Sequence, residues 1–480
     1  MSELDPLQFI NIGPHGTFKE SGKLHTTPAN VDALFAHLKQ HQITRLALHF
    51  HGGLVKEKHG QEIARSMNAL YRQANSHPIS VIWETGFMET VIGNLTELYQ
   101  TELVKKLIKF LVRQIAKKLN IDVGGKGPGV PMTDAEIETE LDKEDSFVEL
   151  DEQARQGAEQ ITQPMLDDML AEIEVGLEEE ITADDELETL LKQEAPQIEL
   201  LDEKFVKEVR EEEAKGGIPA SVLLGALVKV AGQVIGRYLK KRDHGFYPTI
   251  MEEIVRALFL ADFGKWVWGN MKELAADMWK PNSGPIGESS YAGTYFLAKL
   301  AELQQETPYL IVDMVGHSAG SIAVCNMLAA AAQRHPAFHA RNVLFLAPAC
   351  TMDLFYDQIV THPNRYQAFR MFTMQDHYEK QDRLVPFVYT HSLLYFVSGA
   401  LEDEVDKPLA GMERYMSGQP PYDDAKLQAV RQFLRATGEQ RLVLSKTQGA
   451  APGLGSLALQ HGAFDNEDLT RASLQHIIAQ

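Results

Sequence analysis

Short apolar runs alternate with amphipathic segments before about residue 90. The runs Gln8–Ile12, Arg45–Phe50 and Ile79–Trp83 predict strands. Between them, the apolar spacing predicts helices over Val31–Lys39 and Gly60–Ala74. Strands that alternate with helices of this length favour a parallel sheet.

The same rhythm returns after Pro285. The pattern there predicts strands at Tyr309–Val315, Val343–Ala347, Phe369–Met374 and Leu442–Ser445. It predicts helices at Tyr295–Gln304, Ser321–Gln333 and Ser392–Leu401. We therefore expect one α/β core made of residues 1–87 and 286–480, interrupted by an insertion at residues 88–285.

The insertion is expected to be helical, because its apolar positions follow helical spacing. Its segment Leu103–Leu119 carries six Lys and Arg opposite an apolar face. That composition suits a helix lying on an anionic membrane, a peripheral contact. It also suits a helix that packs its apolar face inside the insertion and turns its basic face to acidic neighbours. Both interpretations stay open at this point.

A second apolar segment, Ala220–Leu239, is long enough to suggest a membrane span. Lys229 near its centre would cost about 2.5–3.5 kcal/mol in a bilayer, and glycine and alanine add little apolarity. We therefore expect a helix buried in the insertion, or dipped into an interface. The insertion would then form a helical cap.

The negative charge of the chain is concentrated in the insertion. The 480 residues have a formal net charge of −21, but Thr133–Lys215 alone holds 30 Asp and Glu against 7 Lys and Arg. The other residues therefore hold 37 acidic and 39 basic side chains, which is close to neutral. No basic stripe over an aromatic groove is visible, so nucleic-acid binding is not expected.

Cysteine usage and the N-terminal residues indicate the compartment. Cys325 and Cys350 are too few for a disulfide framework. Residues 1–9 lack the basic and apolar regions of a signal peptide, so a cytoplasmic protein is expected. His49 and His51 lack a third ligand at recognisable spacing. With no nucleotide fingerprint on a strand–helix junction, we expect neither a metal nor a cofactor.

The strongest chemical motif is Gly316-His317-Ser318-Ala319-Gly320. It follows a predicted strand and precedes a predicted helix. A serine on a sharp strand-to-helix turn needs small neighbours, because the tight backbone leaves no room for side chains beside it. The alternative is a glycine-rich turn without chemistry, but the flanking strand and helix favour a nucleophile.

A second motif, His51-Gly52-Gly53-Leu54, ends the second predicted strand. Backbone N–H groups of such a turn stabilise a developing oxyanion, together with the N–H that follows the nucleophile, here Ala319. The alternative is a strand-ending turn whose histidine is satisfied by the backbone. The motif leaves open whether Gly53 or Leu54 supplies the N–H.

A nucleophilic serine needs a base, and the base needs an orienting carboxylate. His461, in the loop after the last predicted strand, is the best-placed histidine. For the carboxylate, Asp376 and Asp382 follow the predicted strand Phe369–Met374, and Asp353 follows the strand before it. Each of these aspartates is equally compatible with a solvated loop charge.

These motifs resemble those of the α/β-hydrolase superfamily, of the esterase and lipase type. The resemblance rests on the serine turn, the upstream His-Gly-Gly turn, Asp-Arg-Leu-Val-Pro at 382–386 and the late His-Gly. It covers residues 8–87 and 286–480 and leaves the insertion out. The order Ser318, Asp376 or Asp382, His461 agrees with the superfamily's order.

The resemblance implies a mostly parallel, eight-stranded sheet whose strand-end loops hold a serine esterase site. The sequence around Asp382 resembles that around the superfamily's acid, which favours Asp382 narrowly over Asp376. The insertion departs from the pattern, because lids in this superfamily more often follow strand 6 than strand 4. The implied substrate is a small-molecule carboxylic ester or lipid. A thioesterase or peptidase with the same residues, and a non-catalytic binding or membrane-associated protein on this fold, are the alternatives.

Overall fold

The computed structural model divides the chain into two compact units. The first contains Met1–Glu89, Val267–Glu379 and Pro408–Gln480, and the second contains Thr90–Trp266 and Lys380–Lys407. The structure describes residues 4–52, 57–83, 93, 95–97, 99–122, 127, 130–184, 186, 187, 189, 190, 207, 211, 219–259 and 263–480. The second unit therefore ends before the predicted boundary at residue 285 and gains a later segment that the sequence pattern did not assign to it.

The first unit is built on one parallel sheet. Its strands are β1 Phe9–Ile12, β2 Arg45–Phe50, β3 His77–Trp83, β4 Ile311–His317, β5 Ala340–Leu346, β6 Tyr366–Met374 and β7 Leu442–Ser445. They lie in the order β1-β3-β2-β4-β5-β6-β7, and each pair is parallel. The predicted α/β class is confirmed. The expected eight strands are wrong for the described residues, which form seven; the eighth came from the family resemblance, and no apolar run in the sequence supplied it.

In chain order, the helices in the described residues of both units are α1 Pro28–Gln40, α2 Glu57–Gln73, α3 Glu102–Lys118, α4 Asp134–Leu141, α5 Asp151–Glu159, α6 Gln163–Ala183, α7 Pro219–Leu239, α8 Phe246–Ile254, α9 Phe263–Asp277, α10 Ala292–Glu306, α11 Gly320–Arg334, α12 Ala425–Leu434 and α13 Asp468–Ala479. Six helices, α1, α2, α3, α7, α10 and α11, begin and end within three residues of the predicted segments, and the structure adds others. Single helical turns lie at Met352–Phe355, Asp376–Glu379 and Leu393–Phe396. Where the sequence predicts one helix over Ser392–Leu401, the last of these turns continues as a π-helical turn over Val397–Leu401.

One part of the core of the first unit lies between one face of the sheet and the helices α2 and α13. Alternate strand residues point to this face, because successive side chains of a strand lie on opposite sides. They pack against apolar residues of the two helices to form a single cluster: Ala47, Val315, Leu344, Phe372 and Val443 from the strands, and Met67, Leu70, Leu474 and Ile478 from the helices. Burial of this apolar surface holds the strand ends, and hence their loops, in place.

The second unit is helical and pairs its charges internally. The basic face of α3 meets acidic side chains of the same unit. Lys109 Nζ lies 2.6 Å from Glu138, and Arg113 pairs with Asp134 and Glu180. The apolar face of α3 is buried. The sequence left two interpretations open for this helix, a membrane contact and packing within the insertion. These contacts favour packing within the insertion.

Helix α7 is the helix in the described residues that is long and apolar enough, by length and composition, to cross a membrane. Over Ser221–Leu239 its mean hydropathy is 1.4. Near its C-terminal end, however, Arg237 is 5% exposed and pairs with Glu252 and Glu253 of α8. A paired, buried arginine is typical of a helix packed against protein.

Candidate active site

The site lies where the order of the strands reverses. The strand that follows β2 in sequence lies on one side of it, and the strand that follows β4 lies on the other. The two strands are neighbours, and Phe50 pairs with Gly316 near their carboxyl ends. In open α/β sheets, ligands bind in the crevice outside the carboxyl ends of the strands at such a reversal.

Ser318 occupies the turn between β4 and α11 in a strained conformation. Its φ is +50°, which is uncommon for a residue with a side chain. Its N–H donates to the Leu346 carbonyl at 2.9 Å, and its own carbonyl accepts from the N–H groups of Ser321 and Ala349. The turn is thus fixed by backbone bonds on both sides.

The glycines that flank Ser318 are required by close backbone contacts. A Cβ on Gly320 would lie 2.1 Å from the carbonyl oxygen of Phe50, and one on Gly316 would lie 2.9 Å from that of Gly320. Real atoms do not approach so closely, so both positions admit only glycine without a shift of the backbone. The sequence motif therefore reflects the packing of the turn against β2.

Gly52 of the His-Gly-Gly motif lies beside the serine turn. A Cβ on Gly52 would lie 3.2 Å from the Cβ of Ser318. His51 is satisfied by the backbone, as the alternative interpretation of the motif expected: its Nδ1 donates to the Gly52 carbonyl at 2.7 Å, and its Nε2 accepts from the N–H of Trp83 at 3.2 Å. Burial lowers the pKa of His51 to about 4, so the ring is neutral and serves to hold this turn.

Ser318 and His461 form a hydrogen-bonded pair. His461 Nε2 lies 2.8 Å from Ser318 Oγ, and the two residues are 5% and 4% exposed. Burial, together with the nearby charge of His317, lowers the pKa of His461 to about 3, although Asp465 opposes this effect. The imidazole is therefore neutral at pH 7, and its Nε2 is placed to accept a hydrogen bond from the Ser318 hydroxyl.

A second buried pair lies beside the first. His317 Nε2 donates to the carbonyl of His461 at 3.0 Å, and its Nδ1 lies 3.3 Å from Asp465 Oδ2, an ion-pair distance at an angle outside hydrogen-bond geometry. Burial disfavours the charged ring, but the Asp465 carboxylate and the His461 carbonyl outweigh it and raise the pKa of His317. Burial likewise works against the Asp465 charge, yet His317 lowers the pKa of Asp465.

His49, on β2, is the third buried histidine near Asp465. Its Nδ1 lies 2.8 Å from the hydroxyl of Tyr71, and burial lowers its pKa to about 3 while Asp465 acts in the opposite direction. His49 is therefore neutral. Since Asp465 influences the pKa values of His49, His317 and His461 alike, it is the carboxylate around which the titratable groups of this site are arranged.

The three aspartates expected from sequence lie in different parts of the structure. Asp376 begins the helical turn after β6 and is partly buried, and its N–H donates to Glu413 Oε2 at 3.0 Å. Asp382 belongs to the second unit, whereas Ser318 and His461 belong to the first. Asp353 lies in a surface ion pair, 3.1 Å from Lys426 Nζ. The preference for Asp382 over Asp376, which rested on local likeness in sequence, stays a prediction.

The expected oxyanion groups are only partly within the described residues. Gly53 and Leu54 lie outside them. Ala319 caps the N-terminus of α11, with φ −60° and ψ −23°, and is fully buried. The N-terminus of a helix carries partial positive charge and N–H groups without intrahelical partners, which is the environment that an oxyanion requires.

Asp465 was missed as a functional residue in the sequence. It stands four residues after His461 in the same loop, and an aspartate in a loop carries little information by itself. Its neighbour Phe464 is fully buried in the structure, and the loop sequence gives no sign of that burial. Among the described residues, no group of three or more His, Cys, Asp or Glu is arranged to hold a metal ion.

Comparisons of the chain with protein-family models, with curated proteins and with solved structures give no match. The functional argument therefore rests on the geometry of the site.

Proposed function

We propose that the protein is a serine hydrolase that cleaves a carboxylic ester through an acyl-enzyme on Ser318. The observation that carries this proposal is the 2.8 Å contact between His461 Nε2 and Ser318 Oγ at a strained strand-to-helix turn. A nucleophile within hydrogen-bond reach of a neutral base is the arrangement that covalent catalysis needs. The place of the pair at the strand reversal supports the same conclusion. We also propose that the chain is a member of the α/β-hydrolase superfamily, which its motifs resemble.

In the proposed reaction, Ser318 Oγ attacks the ester carbonyl carbon while its proton passes to His461 Nε2. The carbonyl electron pair moves onto oxygen and returns as the C–O bond to the alcohol breaks. His461 gives its proton to that leaving oxygen. Water then attacks the acyl group, again losing its proton to His461, and the carboxylic acid leaves as Ser318 regains its proton.

The oxyanion formed in each step needs hydrogen-bond donors already in place. The backbone N–H of Ala319, at the start of α11, supplies one donor in this proposal. The second comes from the turn after β2, at Gly53 or Leu54. Gly52, which directly precedes these two residues in the chain, lies beside the Cβ of Ser318.

Ester hydrolysis by Ser318→Ala tests the assignment. The substitution removes the nucleophile without adding volume to a turn held by backbone bonds, so the fold should persist. We expect kcat to fall by several orders of magnitude, since members of a triad act as a unit. Circular dichroism on both proteins provides the control for folding. Activity above a few per cent of wild type in the variant would contradict the assignment.

A substrate panel distinguishes the remaining alternatives. p-Nitrophenyl esters of increasing acyl length, a thioester and a peptide anilide would be hydrolysed by wild type and by Ser318→Ala. We expect turnover of esters that depends on Ser318. Turnover of the thioester or the anilide alone would point to a thioesterase or a peptidase, and absence of all turnover in folded protein would support a binding protein.

A further inference from the structure

Both ring nitrogens of His317 face acceptors. A carbonyl oxygen can only accept, so the 3.0 Å contact with the His461 carbonyl places a proton on Nε2. The carboxylate oxygen of Asp465, 3.3 Å from Nδ1, favours a proton there as well. A histidine with a proton on each nitrogen is an imidazolium, so the contacts describe a buried ion pair with Asp465.

The surroundings of this ion pair contain one permanent charge, the guanidinium of Arg471, which donates to the main-chain carbonyl of Asp465 at 2.6 Å. His317 is 5% and Asp465 2% exposed, so water screens the pair little. The titratable side chains near the pair are neutral at pH 7, because burial lowers the pKa values of His461, His49 and His51 to about 3 to 4 and raises the pKa of Tyr71.

Further contacts hold the loop that carries His461 and Asp465. Arg471 of α13 donates to the carbonyl of Asp465 at 2.6 Å, and Asn466 Nδ2 donates to Asp465 Oδ1 at 3.1 Å. The contact from His317 to the His461 carbonyl ties this loop to the serine turn itself. His317 and Ser318 are adjacent in sequence, so the distance between base and nucleophile depends on this link.

We propose that His317, held as an imidazolium by Asp465, is a positioning residue that fixes His461 through its main-chain carbonyl. This inference rests on the proposed function. In the familiar triad, the carboxylate orients the ring of the base. Here Asp465 acts through His317 on the backbone of the base, and the chain order becomes Ser318, His461, Asp465.

The consequence for catalysis is geometric. A displacement of a reacting group by about 1 Å costs on the order of 100-fold in rate. If His317 loses its Nδ1 proton, a nitrogen lone pair faces the Asp465 carboxylate. The two groups then repel each other, and His317 no longer holds the His461 carbonyl in place; we call this hold the positioning link. The pKa of His317 is raised above 6.5 in the folded protein. The positioning link is therefore complete below pH 6.5 and is lost as the pH rises through the pKa of His317 in the folded protein.

Three variants separate positioning from simple packing. His317→Gln keeps an N–H donor for the His461 carbonyl but cannot titrate. His317→Leu keeps the approximate volume and has no donor. Asp465→Asn keeps the shape and removes the charge, and Asp423→Asn, at an exposed surface position, is the matched control. The measurements are kcat and KM for an ester between pH 5 and 9, with circular dichroism at each pH.

We expect wild type to lose kcat on an alkaline limb above pH 6.5, with KM nearly constant. In Asp465→Asn that limb should move to lower pH, and in His317→Gln it should disappear while kcat at pH 6 stays within about tenfold of wild type. His317→Leu should lose about 100-fold in kcat. Equal activity of the Gln and Leu variants, with an unshifted limb in Asp465→Asn, would overturn the proposal and leave the hydrolase assignment intact.

A measurement that needs no activity covers the case in which wild type hydrolyses nothing. Nitrogen NMR of histidine-labelled protein at pH 6, below the ordinary histidine pKa, reports the protons on each ring nitrogen. We expect two ring protons on His317 in wild type and in Asp423→Asn, and one in Asp465→Asn. One ring proton on His317 in wild type would overturn the ion pair, whatever the activity.

Discussion

The basicity of His461 is set by its surroundings within a few ångströms. A histidine in water has a pKa of about 6.5 and would be mostly protonated at pH 5. Burial, and the charge on His317 at a ring distance of 5.7 Å, lower the pKa of His461 to about 3. The base is therefore in its active, neutral form over a wider acidic range than an ordinary histidine.

This low pKa predicts the acid limb of the activity. The neutral form of His461 accepts the proton, so activity should persist from pH 7 down to pH 5 with less than about a twofold loss in kcat/KM. A base with a pKa of about 6.5 would retain only about 3% of its neutral form at pH 5. Ester hydrolysis measured from pH 4 to 7, with folding checked at each pH, decides between them. A half-maximal point near pH 6.5 would contradict the account.

At the scale of one element, the basic residues of helix α3 form two kinds of ion pair, one partly buried and one exposed. Arg113 is 19% exposed at its side chain and pairs with Asp134 and Glu180, which lie on α4 and α6. Lys105, by contrast, pairs with Glu102 of its own helix at 2.8 Å, and both side chains are exposed. The partly buried pair joins three helices, whereas the exposed pair contributes little to stability.

Arg113→Glu should therefore destabilise the second unit. The substitution replaces the attraction of residue 113 to Asp134 and Glu180 by repulsion, at a side chain that is partly buried. We expect it to lower the free energy of unfolding by about 2 kcal/mol. Lys105→Glu, the matched control, should change it by less than about 0.5 kcal/mol. Urea unfolding measures both values. An unchanged stability in Arg113→Glu, combined with loss of binding to anionic vesicles at low salt, would support the membrane interpretation instead.

Helices and strands could be predicted from sequence where the spacing of apolar residues and the residues that end a segment indicate the same bounds. Strands β2 and β7 match the predicted Arg45–Phe50 and Leu442–Ser445, because an apolar run and the residues that end it define a strand locally. The pairing of Ser318 with His461 is long-range, and only the motif suggested it. Asp465 could not be assigned, because its role depends on three histidines brought together by the fold.

At the scale of the whole molecule, the chain forms two compact units, and each contains a different cluster of buried titratable groups. In the first, a few buried titratable groups surround Ser318. In the second, His244 lies between Glu252 and Asp406, at 2.8 and 2.9 Å from its two ring nitrogens, and Arg237 pairs with Glu252 as well. Asp406 belongs to the segment Lys380–Lys407. These buried bonds explain why that segment joins the second unit.

Arg237→Met tests whether this network holds the second unit together. Glu252 and Glu253 would lose a buried counter-charge, and breaking a buried pair in this way costs about 3–5 kcal/mol. Lys229→Met, at an exposed position of the same helix, should cost less than about 0.5 kcal/mol. Thermal unfolding by circular dichroism compares the two. Equal midpoints for both variants would show that the network contributes little.

Covalent labelling with a fluorophosphonate probe tests the central claim most directly, because the probe reacts only with a serine activated by a base. Mass spectrometry of the digested protein would locate the adduct. We expect one phosphonyl group on Ser318 in wild type, no adduct in Ser318→Ala, and labelling slowed at least 100-fold in His461→Gln. A folded wild-type protein that stays unlabelled, or that is labelled at another serine, would contradict the account.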